Sequence, residues 1–75
     1  MQLRRDGFER IRTVLAEAGV ERPLTAREIH DLLDARGAAL DSPHRVATVL
    51  GRRAETGAVE VIERQPYRYR LVESP

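Results

Sequence analysis

The chain has 75 residues and a formal net charge of +1, with thirteen arginines against twelve acidic residues, two histidines and no cysteine. That length holds one domain, residues 1–75, near the lower size at which a core alone maintains a fold. The absence of cysteine excludes disulfides and thiolate metal sites and fits a reducing cytoplasm, while the near-zero total argues against an indiscriminate polyanion binder.

Placement of charge is therefore more informative than its sum. Residues 1–40 carry seven arginines against seven acids, whereas residues 44–70 carry six arginines against three. Every basic residue is arginine, and lysine, asparagine and tryptophan are absent, a composition of the kind that GC-rich coding produces. The amino-terminal residues lack the apolar centre of a signal peptide, and no apolar run approaches membrane-spanning length, so a soluble cytoplasmic protein is expected. Repeats, low-complexity tracts and linkers are lacking.

Phe8, Ile11, Leu15 and Ala18 recur at helical spacing with Val14 beside them, and Gly19 follows as a stop, which predicts a first helix from Asp6 to Ala18. Asp6 and Glu9 have capping-box spacing, and Asp6/Arg10 and Glu9/Arg12 are predicted surface pairs. Pro23 and Leu24 predict a short extended piece. Thr25 and Glu28 repeat the capping-box spacing just before Ile29, Leu32 and Leu33, predicting a second helix that ends at Gly37.

A connector leads to Ser42, an N-cap residue type, and Pro43 at the first helical position, where a missing N–H leaves nothing unpaired. The third helix, about fourteen residues long by its apolar period, should bury Val46, Val49, Leu50 and Ala54 and stop at Gly57. Val59–Arg64 and Tyr67–Val72 read as the strands of a hairpin turning at Gln65-Pro66. A period of two places Tyr67, Tyr69 and Leu71 on the packed side and Arg68 and Arg70 on the other. The expected fold class is α+β, three helices followed by a two-stranded antiparallel hairpin, with a short extra strand near residues 23–25.

At about 100° per residue the third helix turns His44, Arg45, Thr48, Gly51, Arg52 and Glu55 away from its apolar side. Arginine pairs bidentately with guanine, threonine touches a base or a phosphate, and glycine admits close approach, so this surface suits DNA. Arg53 falls within the apolar side, where its stem covers the core. Glu55 repels phosphate and confines contact to the first two-thirds of the helix. Arg64, Arg68 and Arg70 make the hairpin cationic, with Gln65 at its tip. They either meet phosphates or pair with Glu60 and Glu63 across the hairpin. Tyr67 and Tyr69 can be read as stacking residues for single strands, with core packing the alternative.

His30 and Asp34 share one face but amount to two ligands only, and Asp41, Ser42 and His44 are too close in sequence to form a triad. With no phosphate loop, carboxylate pair or dinucleotide motif, no catalytic, cofactor or metal residues are expected and an enzyme is not.

The run Pro23-Leu24-Thr25-Ala26-Arg27-Glu28-Ile29-His30-Asp31-Leu32-Leu33, followed by Val46–Leu50 and the closing Tyr67–Leu71, resembles the winged helix-turn-helix superfamily, prokaryotic regulators in particular, over nearly the whole chain. It resembles the HARE-type helix-turn-helix module more distantly. The resemblance implies sequence-specific recognition of double-stranded DNA by a transcriptional regulator, with the third helix in the major groove and the wing on the backbone. By that analogy His44, Arg45, Thr48 and Arg52 read the groove, Arg64 and Arg68 are wing contacts, and Arg27 touches a flanking phosphate. The alternative is a non-enzymatic module that docks a protein partner on the same fold. A homodimer would double the footprint on a palindromic site.

Overall fold

The structure, a computed structural model, describes residues 7–72. They form α1 (Phe8–Ala18), β1 (Leu24–Thr25), α2 (Ala26–Ala35), α3 (Pro43–Ala54), β2 (Val59–Ile62) and β3 (Arg68–Leu71). The architecture is α+β: three helices and a three-stranded antiparallel sheet of order β1-β3-β2.

The helix termini follow local chemistry. Thr25 and Glu28 close a reciprocal capping box: the Glu28 amide donates to Thr25 Oγ1 at 3.1 Å and the Thr25 amide donates to Glu28 Oε1 at 2.9 Å. Ser42 caps α3, accepting from the Arg45 amide at 3.2 Å, with Pro43 opening the helix. The first helix differs from expectation. Asp6 lies outside the described residues. The N-cap is Gly7, at φ 96° with no side-chain cap bond. The expected Asp6/Arg10 pair thus also lies outside the described residues, and Arg10 reaches across to the carbonyls of Ala38 and Ala39 at 3.5 and 3.2 Å, anchoring the connector ahead of α3 to α1. The expected Glu9/Arg12 pair forms at 3.0 Å.

Two further boundaries are shorter than the sequence predicts. Helix α3 ends at Ala54, where the Thr56 and Gly57 amides turn back onto the carbonyls of Arg53 and Ala54. The strands stop at Ile62 and resume at Arg68, because residues 63–67 form the turn. Pro66, joined to Gln65 by a cis peptide, has no N–H for a strand ladder. Tyr67 is consequently outside β3 and 47 % exposed, a correction to its expected place on the packed side, whereas Tyr69 is buried.

The extended piece at Leu24–Thr25 becomes a true strand. It pairs with β3 in the register Leu24↔Tyr69 and Thr25↔Arg68, while β2 pairs on the other side through Val61↔Tyr69 and Glu60↔Arg70. Tyr69 thus sits between Leu24 and Val61 on the middle strand, which explains its burial. Phe8, Ile11, Val14 and Leu15 of α1, Ile29 and Leu33 of α2, and Val46, Val49 and Leu50 of α3 close over Leu24, Val59 and Tyr69 as one core. No polar or charged side chain is buried among the described residues, so their polar chemistry lies at the surface. No helix among them is long and apolar enough to cross a membrane.

Candidate functional site

With Val46, Val49 and Leu50 fixed inward, the geometry of α3 carries His44, Arg45 and Arg52 outward, all exposed. Thr48 is half-buried, and its hydroxyl donates to the His44 carbonyl at 3.0 Å. That bond occupies the only proton the hydroxyl has, leaving Thr48 an acceptor toward any partner. Arg53 is held off this surface: its guanidinium lies 4.8 Å from the Phe8 ring centroid, a cation–π contact of about 0.5–1 kcal/mol at a partly exposed site. Glu55 is the exposed C-cap of α3 and limits the cationic surface at that end.

The hairpin arginines have separate fates. Arg70 stands opposite Glu60 in the register and forms an ion pair with it, so for this residue cross-strand pairing is what the fold provides. Arg68, two residues away on the same side of the sheet, faces Ile62 and Thr25 instead. It makes no ion pair with a described residue and is only a longer-range influence on Glu28. Arg64 is exposed in the turn and likewise unpaired among the described residues.

Register also brings Arg68 beside the start of α2, because its β1 partner Thr25 is the N-cap of that helix. Arg27 is exposed in the first turn of α2. The Glu28 carboxyl is held below its usual range chiefly by the Thr25 amide; desolvation, the next largest effect, opposes this, and the Thr25 hydroxyl and the charges of Arg22 and Arg68 add lesser lowering effects. Arg22 therefore belongs to the charge environment of Arg68 and Glu28. Sequence reading passed over it because it lies in aperiodic chain between Gly19 and Pro23. Charge density around the capping box was the available signal.

Two surface clefts formed by described residues include none of the seven expected residues. One runs between α1 and the sheet, lined by Leu15, Val20, Leu24 and Leu71 with Arg12 and Arg22 among its polar residues; the other lies along α1 beside Arg36 and Ala38. Among the described residues no group of three or more histidine, cysteine, aspartate or glutamate side chains is placed to hold a metal ion.

No protein-family description, curated protein or solved structure matches this chain.

Proposed function

We propose that this chain is a winged helix-turn-helix domain that binds double-stranded DNA sequence-specifically as a cytoplasmic transcriptional regulator. Helix α3 enters the major groove, presenting His44, Arg45 and Arg52, with Thr48 as an acceptor. Arg64 and Arg68 of the β2–β3 wing, and Arg27 of α2, lie against phosphates. The observation that carries the reading is the distribution of unpaired cations: Arg45, Arg52, Arg64, Arg68 and Arg27 are exposed and form no ion pair with any described residue. Exposed guanidiniums without carboxylate partners retain their full attraction for a polyanion, and arginine's planar donor fork matches both phosphate and guanine.

Binding of a fluorescent random-sequence duplex, titrated with salt, tests this. Affinity should fall steeply as salt rises, with a slope set by the phosphates neutralised. No duplex binding at low salt would sink the reading. The net charge of +1 favours a second reading, a module docking a protein partner, which that negative result would promote.

A further inference from the structure

Helix α3 has a glycine at the start of its last turn, Gly51, for which the fold supplies no reason. The other four glycines hold positive φ, at Gly7, Gly19, Gly37 and Gly57, where a side chain is disfavoured. Gly51 has an ordinary helical backbone, and a Cβ built on it would meet nothing within 4 Å. Glycine is the poorest helix former after proline, so alanine here would stabilise the domain. Its position is equally specific. Gly51 follows Thr48 by three residues and His44 by seven, on the side of α3 turned away from Val46, Val49 and Leu50, with Arg52 its neighbour in sequence and Arg45 seven residues before Arg52 on the same flank. The Thr48 hydroxyl is bonded to its own helix at the His44 carbonyl, so it too projects little.

We infer that Gly51 is the point of closest approach between α3 and the duplex, a steric determinant that lets the helix seat deeply enough for Arg45 and Arg52 to reach the base edges on one flank. This rests on the duplex-binding reading of the same surface. A side chain at Gly51 would lift the helix away from the groove without removing any charge, so stability and affinity should move in opposite directions.

The experiment compares the wild-type chain with Gly51→Ala, Gly51→Gln and the off-surface control Ala16→Gln on α1. Thermal unfolding is measured together with salt-titrated fluorescence anisotropy on labelled duplex. Gly51→Ala should raise the melting temperature by about 4–8 °C, the scale expected for replacing a helical glycine in a domain this small. It should weaken duplex binding by about tenfold, and Gly51→Gln by about a hundredfold, a graded loss of base-edge contact. The slope of affinity against salt should stay at the wild-type value in both, because no cation is lost. Ala16→Gln should bind as wild type does. Wild-type affinity in both Gly51 variants overturns the inference while leaving duplex binding intact. A lowered melting temperature in Gly51→Ala overturns it too, by showing that the fold itself requires the glycine. Failure of the wild-type chain to bind duplex removes the functional reading and this inference together.

Discussion

Helices α1 and α3 are nearly the same length and each buries one apolar side in the same core, yet their arginines meet opposite fates. On α1, Arg12 pairs with Glu9, and Arg10 is committed to the carbonyls of Ala38 and Ala39; Glu17 takes Arg36 from the end of α2 at 3.2 Å. On α3 there is no acidic residue within the helix. Arg53 is drawn onto Phe8, while Arg45 and Arg52 have no ion-pair partner among the described residues. The same residue type is thus structural where acids or carbonyls lie within reach and available where they do not. The hairpin repeats the lesson within four residues: Arg70 has Glu60 opposite, and Arg68 has Ile62.

Shared burial on the inner sides should make the two helices alike in one respect. Ile11→Ala and Leu50→Ala, both at positions less than 2 % exposed, should each destabilise the domain by about 2–5 kcal/mol in chemical denaturation. A clearly smaller loss at either position would show that its helix is not part of the common core.

The outer sides should separate the helices. Replacing Arg45 and Arg52 together with alanine should weaken duplex binding by about a hundredfold, or about 2.7 kcal/mol, and flatten its salt dependence. The matched Arg10→Ala, Arg12→Ala pair should leave affinity near wild type. Equal effects in the anisotropy titration would erase the distinction between the two helices.

Their caps offer a smaller contrast. Ser42→Ala should cost about 1 kcal/mol by freeing the Arg45 amide. Gly7→Ala should cost about 1–2 kcal/mol through left-handed strain, with crowding of the flexible Leu40 side chain adding to it. Melting curves of the two variants would show whether α1, without a side-chain cap, depends instead on backbone geometry.

The smallest effect concerns the capping box between these helices. Glu28 has a lowered pKa in the folded chain, so its contribution is present above the ordinary glutamate range and is lost as pH falls through the lowered value. Unfolding midpoints of Glu28→Gln and wild type should therefore differ near neutrality and converge in acid. A gap that persists in acid would assign the loss to packing.

Much of this was legible in the chain because it depends on near neighbours. The capping box at Thr25 and Glu28, the Ser42–Pro43 start of α3, the Glu9/Arg12 pair and the inward positions of all three helices follow from spacings of three or four residues, which helical geometry turns into contacts. Helical period likewise turned His44, Arg45, Thr48 and Arg52 away from the apolar side and charge marked Arg64 and Arg68 on the hairpin, whereas Arg27 came from the resemblance alone. What the sequence could not determine was each side chain's partner across the fold. The Arg10 bond to the connector spans 28 and 29 residues. The fate of Arg53 depended on Phe8 arriving beneath it, and the exposure of Tyr67 on how far the turn at Pro66 intruded into the ladder. Whether Leu24–Thr25 counted as a strand was decided by β3, some forty positions away. Local chemistry set where the elements begin and which side of each is apolar; beyond the Glu9/Arg12 pair, tertiary structure decided which described arginines would be neutralised, because an ion pair requires a partner in space as well as a charge in the chain.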